Sequence, residues 1–588
     1  MTMNSGFENL ERIKKKCQCF NLITHRYEQP KKGNRYTGGV PLFYDAANQK
    51  VYVDPDDTHT LVYGATGSLK TRSVVMPTIK LLGIAGESMI INDAKGELYS
   101  RLAGELCELG YQIVVINLRE PSVGNCWNPL HIPYQFYKNG DIDRACEFVN
   151  DIACNLTKEA YAAQDPFWDN SAADLTFALI LLLFKYCLEH DEPESAVNIS
   201  NVLELRRRLF SPENHREPKF TDIWKYAAKD ELINASLSGS VFAPNDTRNS
   251  ILSVFDQKMR TFSIQPTLME MLSNNDFDIA RISQEKSALF LIIPDEKTTY
   301  HRLCSLFIKQ SYEYLIYITT RNQNKRVDNR VNYCLDEFSS LPSVADFPAM
   351  ITAARSRDIR FLLVVQSQSS LKKRYAEEAE TIVSNCANWI FFTSRELELL
   401  RELSELCGTP KNSHTPNIST YELQHFSKEN REALVLCGRY KPAKVTMLDI
   451  DNPNFSGRKY SVLKIQTSER KKRKQITFDF GPQEEEEQLT FNPWASQRGL
   501  NAGINLPRKM EDWKPPQQQN DLPEDHGDDE IEDILKDINK RIADIHSDER
   551  KKAGAADLEA AEHGERLSGA DAVRELMDRL LADLDTPE

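Results

Sequence analysis

Eight consecutive residues of this 588-residue chain form a nearly complete glycine-rich motif, Gly64-Ala65-Thr66-Gly67-Ser68-Leu69-Lys70-Thr71. The pattern G-x-x-x-x-G-K-[S/T] of phosphate-binding loops is met except at Leu69, where it requires glycine. The apolar run 61–63 predicts a strand before the loop, and residues 72–82 predict a helix after it. Because the motif binds phosphate in this strand–loop–helix setting, the sequence predicts an α/β fold built around a P-loop.

The residues of the motif have separate expected roles. The backbone N–H groups of the loop and the N-terminus of the following helix would face phosphate oxygens. Lys70 would contact the β- and γ-phosphates, and the hydroxyl of Thr71 would bind Mg²⁺. Leu69 adds a branched side chain where glycine permits unusual backbone angles, so the loop must turn that side chain away or open slightly. The alternative is a chance near-match in a turn that binds nothing.

Strand-like and helix-like runs alternate on both sides of a long helical region. The apolar runs 88–92 and 112–117, with a helical run at 100–109 between them, predict a mainly parallel sheet covered by helices. From 141 to 282 only helical patterns occur, which predicts an inserted all-α domain. Strand-like runs then return at 287–293, 331–335, 361–365 and 389–392.

An acidic pair ends one of the later strands. The apolar run 331–335 is followed directly by Asp336 and Glu337. In a P-loop ATPase an aspartate here completes the Mg²⁺ shell, and a glutamate polarises the attacking water. By itself the pair also fits a simple helix start. Together with Lys70 and Thr71, it predicts a catalytic magnesium site.

Polar residues near the next strand supply further candidates. Gln366 follows the run 361–365 and could sense the γ-phosphate, although a plain loop fits equally well. Arg355, Arg357 and Arg360 precede that strand. In a ring one of them could act on a neighbour's nucleotide as an arginine finger, and we assign this role to Arg357. The alternative for each arginine is a solvated surface position.

Composition indicates a cytoplasmic globular protein. The 12 cysteines form no CxxC pair, which favours reduced thiols over disulfides or a zinc site. The longest apolar run, 177–184, ends at Lys185 and is shorter than the roughly 20 residues that span a bilayer. The N-terminal residues have no signal-peptide pattern.

Charge is distributed unevenly along the chain. Residues 482–588 contain 28 Asp and Glu against 13 Lys and Arg, a net charge of −15. The whole chain has a net charge of −14, so residues 1–481 have a net charge of +1. The composition predicts a flexible acidic tail. Two short amphipathic helices within it could dock on partners or fold back on the parent domain. The basic runs 12–32 and 470–474 suit nucleic-acid phosphates or an anionic membrane, or are solvated linkers.

Five ordered motifs resemble those of the type IV coupling proteins, the TraG/TraD-type ATPases of conjugation and type IV secretion. The resemblance covers roughly residues 39–451. The motifs are Gly64 to Thr71, Asp93-Ala94-Lys95-Gly96-Glu97, Asp165-Pro166-Phe167-Trp168, Leu335-Asp336-Glu337-Phe338, and Gln366-Ser367 with Tyr375 and Asn385.

The resemblance implies a RecA-like domain that binds ATP and Mg²⁺, carries an all-α domain and assembles as a ring of six subunits. It implies delivery of relaxase-bound single-stranded DNA or effector proteins to a type IV secretion channel. On that pattern Lys70 and Thr71 bind phosphate and Mg²⁺, Asp336 and Glu337 serve metal and water, and Gln366 acts at the γ-phosphate. Any contact with nucleic acid should be tolerant of sequence, because no helix-turn-helix or zinc-finger signature occurs.

The chain departs from this family at three points. Leu69 replaces glycine, Ala94 replaces the usual proline, and the membrane-spanning helices that begin most members are missing. We therefore expect a protein at the inner face of the membrane with a separate membrane anchor, or a chain shortened at its start. Two other functions stay open: a docking receptor with weakened catalysis, and a general DNA pump of the FtsK/HerA type, which gives no reason for the motif 165–168.

The predicted domain organisation has five parts. They are a basic N-terminal segment (1–38), the first part of the nucleotide-binding domain (39–140), the all-α domain (141–282), the second part of the nucleotide-binding domain (283–465), and a basic linker with the acidic tail (466–588).

Overall fold

The computed structural model describes residues 10–28, 36–158, 166–210, 220–294, 296, 300–410, 414–456, 460–467 and 470–480. All of these residues fall within one compact unit, Met1–Glu487. The predictions for the acidic segment 482–588, including its amphipathic helices, lie outside the described residues, as does Asp165.

The strands of the described ranges form two sheets. The strands are β1 (Gln18–Asn21), β2 (Arg26–Glu28), β3 (Pro41–Asp45), β4 (Lys50–Val53), β5 (Thr60–Tyr63), β6 (Ser88–Asp93), β7 (Gln112–Asn117), β8 (Ser287–Ile292), β9 (Val331–Leu335), β10 (Ile359–Val365), β11 (Asn388–Phe391), β12 (Glu432–Cys437) and β13 (Ala443–Thr446).

Helices connect most of these strands, and a π-helical turn, Thr71–Val75, runs into the helix after the P-loop. The α-helices are α1 (Leu10–Lys16), α2 (Met76–Ala85), α3 (Glu97–Glu108), α4 (His131–Lys138), α5 (Ile142–Thr157), α6 (Pro166–Glu189), α7 (Ile199–Leu209), α8 (Phe220–Ala228), α9 (Glu231–Val241), α10 (Asn245–Ser263), α11 (Pro266–Met271), α12 (Ile279–Ile282), α13 (His301–Arg321), α14 (Phe347–Ala354), α15 (Gln368–Tyr375), α16 (Glu378–Asn385), α17 (Leu397–Leu406), α18 (Thr420–Gln424) and α19 (Pro453–Ser456).

The larger sheet has the strand order β13-β12-β11-β5-β10-β9-β6-β8-β7. Strands from β11 to β7 run parallel, and β12 and β13 add an antiparallel hairpin. Side chains of a strand alternate between two faces, and each face here has its own core. Leu61 and Tyr63 of β5 lie in one core and Val62 in the other. The predicted α/β fold with a mainly parallel sheet is confirmed.

The central strands are buried along their whole length. Every residue of β5, β6, β8, β9 and β10 is buried, which explains why the sequence shows continuous apolar runs instead of alternation. Strand β10 begins at Ile359, two residues before the predicted start. The prediction missed these residues because Arg360 interrupts the apolar pattern, although the residue is only 6% exposed.

Between β7 and β8 the described residues form α4 to α12 and no strand, in agreement with an all-α insertion. Helix α6 starts with the predicted motif, and Phe167 and Trp168 make an edge-to-face contact at 5.0 Å. Helix α6 is long enough and, averaged over an 18-residue window, apolar enough to cross a membrane. The search for uninterrupted apolar runs did not detect this helix, because Lys185 interrupts the run. Inside the fold 72% of that window is buried, so this is weak evidence for a membrane span.

The N-terminal segment and the predicted basic linker both pack on the protein. Strands β1 and β2 join β3 and β4 in an antiparallel sheet of order β2-β1-β4-β3. At the other end, Ile476, Phe478 and Phe480 are buried, and both phenylalanines lie against Tyr186 of α6. The last of the basic residues, Lys474, pairs with Glu192. This part of the linker is therefore fastened to the helical region.

Candidate nucleotide-binding site

Three adjacent strands end where the predicted site residues begin. Strand β10 lies between β5, which precedes the P-loop, and β9, which precedes the acidic pair. The three strands are parallel, so their carboxyl ends meet at the same edge of the sheet. Gly64, Gln366 and Asp336 thus start three neighbouring loops. The structure brings together residues that are about 300 positions apart in sequence.

The backbone of the loop 64–71 is unusual at two positions. Gly67 has φ = 77° and Leu69 has φ = 69°, both in the left-handed region. Glycine adopts this region freely, whereas for other residues it costs about 1–2 kcal/mol. Leu69 therefore adopts a conformation that favours glycine, and its side chain is half-buried. The departure from the motif is accommodated by a strained backbone.

Lys70 is folded against the loop that precedes it. Its Nζ donates to the carbonyl oxygen of Gly64 at 2.5 Å and to that of Ala65 at 3.1 Å. The residue is only 9% exposed. Burial lowers the pKa of its ammonium group, and the nearby carboxylates of Asp336 and Glu337 oppose this shift. The loop thus holds a buried cation beside two carboxylates.

Thr71 and Asp336 are directly connected. The hydroxyl Oγ1 of Thr71 donates to Asp336 Oδ2 at 2.9 Å, and the backbone N–H of Glu337 donates to Asp336 Oδ1 at 3.0 Å. Burial raises the pKa of the Asp336 carboxyl to about 6, against the lowering effect of the Thr71 hydrogen bond. Hydroxyl and carboxylate oxygens are ligands that Mg²⁺ prefers. The two residues predicted to bind metal therefore share one hydrogen bond.

Glu337 and Gln366 border the same loop. Glu337 has φ = 52°, so the chain turns sharply after Asp336, and its side chain is half-buried. Gln366 is also half-buried, and the residue before it, Val365, accepts a hydrogen bond from the Gly64 N–H at 3.3 Å. Glu337 is close enough to Lys70 to affect its pKa, and Gln366 directly follows a residue that is hydrogen-bonded to the P-loop. Their roles toward water and the γ-phosphate stay predictions.

The predicted arginine finger lies at the opposite edge of the sheet. Arg357 belongs to a 3₁₀ turn immediately before β10 and donates to the carbonyl oxygen of Ala353 and the hydroxyl of Ser356, both at 2.9 Å. The length of β10 places it roughly 20 Å from the P-loop of its own subunit. Its role toward a neighbour's nucleotide stays a prediction. Arg360, weighed for the same role, is buried in an ion-pair network and is unavailable.

Other motif residues support the site from further away. Asp93 is buried and accepts a hydrogen bond from the Tyr99 N–H at 2.8 Å, which fixes the start of α3, and burial raises the pKa of its carboxyl group. The hydroxyl of Tyr375 accepts from the Val344 N–H at 3.0 Å. Asn385 donates to the carbonyl oxygen of Thr381 within α16 at 2.8 Å. These contacts are structural.

The sequence did not single out two contributors to this edge. Asn92 Nδ2 donates to the backbone oxygen of Asp336 at 2.7 Å and so holds the acidic pair. A polar residue at the end of an apolar strand was the available signal. Glu396 lies in the loop after β11 and accepts hydrogen bonds from backbone N–H groups at the N-terminus of α15. Nothing in the sequence pattern pointed to Glu396, because the contact joins distant loops.

The residues present fit an ATP–Mg²⁺ complex. A Cβ atom on Gly64 would lie 2.4 Å from Ser68 Oγ, so the loop is narrow where the motif requires glycine. The Ser68 hydroxyl itself is buried and has no hydrogen-bond partner among the described residues. Such an orphaned donor suits a phosphate oxygen. Thr71 and Asp336 would supply oxygen ligands for the metal.

These features define a class of protein, the P-loop NTPases with a RecA-like sheet and an inserted all-α domain. A solved structure supports this class: plasmid coupling protein TrwB in complex with the non-hydrolysable ATP analogue ADPNP has a TM-score of 0.51 and 16% identity, covering 72% of this chain and 92% of that chain. An unbound form of TrwB also has a TM-score of 0.51, covering 75% of this chain and 92% of that chain at 16% identity. At this identity the likeness shows the fold.

Sequence comparison identifies the family. A model of the family described as type IV secretory system conjugative DNA transfer matches residues 8–432. Protein VirD4 of Rhizobium radiobacter is 24% identical over 364 residues, 60% of this chain and 48% of that protein. Conjugal transfer protein TraG of the same organism is 21% identical over 356 residues, 60% of this chain and 52% of that protein. This chain thus spans about half the length of these relatives. It belongs to the conjugative DNA transfer family, the type IV coupling proteins.

Proposed function

We propose that this protein is a coupling ATPase that recruits relaxase-bound single-stranded DNA or effector proteins and delivers them to a type IV secretion channel. The observation that carries the proposal is the 2.9 Å hydrogen bond between Thr71 Oγ1 and Asp336 Oδ2, because it joins the P-loop to the acidic pair on another strand. Family membership supplies the expected substrates and channel. ATP is the proposed energy source.

The residues of the site divide the work of hydrolysis. The amides of the loop 64–71 and Lys70 bind the phosphates, and Thr71 with Asp336 holds Mg²⁺, which when bound neutralises charge on the phosphate oxygens. Glu337 orients and polarises the attacking water, and Gln366 contacts the γ-phosphate. For a phosphate to reach Lys70, its ammonium group must leave the carbonyl oxygens of Gly64 and Ala65.

The central experiment measures ATP hydrolysis with and without single-stranded DNA. We expect DNA-stimulated turnover in the wild type and none in Lys70→Ala, because the variant lacks the cation that meets the β- and γ-phosphates. Nucleotide binding is measured alongside. Wild-type turnover equal to that of Lys70→Ala, with nucleotide still bound, would contradict the ATPase proposal.

A second candidate function is a docking receptor that binds nucleotide but hydrolyses it poorly. The left-handed conformation of Leu69 favours this candidate, because a strained residue sits in the middle of the P-loop. Leu69→Gly separates the two functions. Increased turnover in the variant would favour weakened catalysis in the wild type, and unchanged binding and turnover would show that Leu69 has no catalytic consequence.

The proposed ring of six subunits places Arg357 at a neighbour's nucleotide. A mixing experiment tests this role: Lys70→Ala subunits retain Arg357, and Arg357→Ala subunits retain the P-loop. Mixed rings would contain interfaces with both groups, so we expect the mixture to recover part of the turnover lost in each variant. Arg355→Ala is the matched control from the same 3₁₀ turn. No recovery in rings verified to be mixed would contradict the assignment.

Recruitment and membrane association form the remaining part of the proposal. We expect the helical region and the acidic segment 482–588 to bind the substrates, and a separate membrane anchor to hold the protein at the inner face of the membrane. Removal of 482–588 should impair substrate binding and leave nucleotide binding intact. Loss of folding in the truncated protein would contradict an adaptor role for the tail.

A further inference from the structure

Three loops at the carboxyl edge are hydrogen-bonded into one unit. The P-loop lies in the middle, between the loop after β10 and the loop after β11. On one side the Gly64 N–H donates to the carbonyl oxygen of Val365 at 3.3 Å, and on the other the Ala65 N–H donates to that of Thr393 at 2.9 Å. The first residues of the P-loop thus touch the starts of both neighbouring loops.

Glu396 connects the loop after β11 directly to the loop after β10, which contains Gln366. The residue belongs to the loop after β11, but its carboxylate reaches past the P-loop strand to the start of α15. Oε2 accepts the backbone N–H of Gln368 and Oε1 accepts that of Ser369, both at 2.8 Å. Hydrogen bonds from two successive amides to two oxygens fix both the position and the plane of the carboxylate.

Both ends of this connection are held in place. The backbone N–H of Glu396 donates to the hydroxyl of Ser394, which is buried, at 3.1 Å. At the other end, the hydroxyl of Ser367 accepts the Ser370 N–H at 3.1 Å. Gln366 immediately precedes this tied turn, and its own side chain makes no hydrogen bond with any other described residue. The backbone beside Gln366 is therefore fixed while its side chain is left for another partner.

We propose that Glu396 is a positioning residue for Gln366, and that it holds the γ-phosphate-sensing turn at a set place relative to the P-loop. The inference rests on the proposed ATP hydrolysis. A carboxylate at a helix N-terminus also stabilises the helix, so the simpler role is that of a helix cap. The two roles differ because a cap affects stability alone, whereas a positioning residue affects turnover more than binding.

Asp230 provides a matched control for the cap. Its Oδ1 accepts the backbone N–H groups of Leu232 at 3.1 Å and Ile233 at 3.2 Å at the start of α9, in the helical region. Asp230→Ala and Glu396→Ala each remove a carboxylate that accepts two amides at a helix start. Comparable decreases in Tm are expected, because each variant leaves two backbone N–H groups at a helix start without their acceptor.

The experiment compares steady-state ATP hydrolysis by the full-length variants with saturating Mg²⁺. For Glu396→Ala we expect kcat to fall by about 10- to 100-fold with KM for ATP changed by less than about twofold, because the sensing turn is displaced and the P-loop is intact. Glu396→Gln keeps one acceptor oxygen and should fall between Glu396→Ala and the wild type. Asp230→Ala should keep the wild-type kcat.

Either of two results would overturn the inference. One is a kcat of Glu396→Ala within about twofold of the wild type, and the other is a kcat loss as large in Asp230→Ala. If Glu396→Ala does not fold, Glu396→Gln decides in the same way, because a kcat equal to that of the wild type in that variant excludes a positioning role for the charged carboxylate.

A failure of the proposed function would be recognised separately. If the wild type hydrolyses no ATP, the ATPase proposal fails by that result alone, and the positioning inference is then decided by amide hydrogen exchange in the ADPNP-bound protein. Faster exchange in Glu396→Ala at both 366–370 and the P-loop segment 64–69 supports the connection. Faster exchange confined to 366–370 indicates a helix cap and overturns it.

Discussion

Buried charges are paired differently at the two ends of the parallel strands in the central sheet. The amino edge is the side where these strands begin, and the carboxyl edge is the side where they end. At the amino edge, Arg360 donates to Asn332 Oδ1 at 2.7 Å and to the carboxylate of Glu87, which also accepts from Asn332 Nδ2 at 3.1 Å. At the carboxyl edge, the ammonium group of Lys70 contacts backbone carbonyl oxygens, and Asp336 contacts a hydroxyl and an amide. Arg360 and Glu87 thus form a direct ion pair at the amino edge, whereas Lys70 and Asp336 at the carboxyl edge each have uncharged hydrogen-bond partners.

This difference separates an edge stabilised by ion pairs from the edge that carries the proposed nucleotide site. A buried charge with a full set of partners contributes to a single folded state, whereas buried charges with incomplete partners are stabilised further by a ligand. Burial lowers the pKa of Lys70 and raises that of Asp336 to about 6, and it also lowers the pKa of Arg360. The division therefore rests on the hydrogen-bond partners of the charges and not on the pKa shifts. The carboxyl edge is where open α/β sheets bind ligands.

The largest effect should come from breaking the amino-edge network. Glu87→Ala leaves Arg360 and Arg330 without their shared carboxylate, and we expect the free energy of unfolding to fall by about 3–5 kcal/mol. Urea denaturation measures this change. The control Glu285→Ala removes an exposed i,i+4 ion pair with Arg281 and should cost less than about 0.5 kcal/mol. Equal losses in both variants would contradict the comparison.

Acid should weaken the amino edge through His59. Its Nδ1 accepts the backbone N–H of Phe361 at 3.0 Å, and burial lowers the pKa of its imidazole from 6.5 to about 4. The stability that depends on neutral His59 is present above pH 6.5 and is lost as the pH falls to about 4, by up to about 3 kcal/mol. Urea denaturation across this range should show a smaller loss in His59→Asn. An identical pH dependence in the two proteins would count against this role.

The carboxyl edge should show the opposite pH dependence in protein free of metal and nucleotide. The pKa of Asp336 is raised from 3.8 to about 6, so its stabilising contribution is present below pH 3.8 and is lost as the pH rises through 6. We expect Asp336→Asn to be more stable than the wild type above pH 7, by up to about 3 kcal/mol. The same denaturation measured in EDTA checks this. A difference that does not shrink toward pH 4 would show that another effect is responsible.

The smallest effects concern backbone strain in the P-loop. Leu69→Gly removes a side chain at φ = 69°, and we expect a gain of less than about 1 kcal/mol, since the relief of strain exceeds the added entropy of unfolded glycine only slightly. Gly67→Ala is the converse change, at φ = 77° with no atom within 4 Å of the new Cβ. It should lose about 1 kcal/mol in urea denaturation. The same sign for both variants would contradict the strain argument.

Sequence reasoning succeeded where chemistry is local. The strands 61–63 and 331–335 were recognised because buried parallel strands are continuous apolar runs, and their ends carry Gly64 and Asp336. It failed where a charge is buried by distant partners. The start of β10 was predicted at the wrong residue, because nothing near Arg360 in the sequence indicates that its buried guanidinium pairs with Glu87.

The sequence by itself determined the family, the parallel α/β fold, the P-loop and the acidic pair, because each depends on residue types within a few positions of one another. Only the tertiary structure decided that Thr71 and Asp336 meet at 2.9 Å, that Leu69 is left-handed, and that Glu396 reaches the turn beside Gln366. The two contacts depend on strand order, which sets the neighbours of each loop, whereas the Leu69 conformation is a backbone angle that only the folded loop shows. Strand order results from packing of the whole chain, and no local pattern records it.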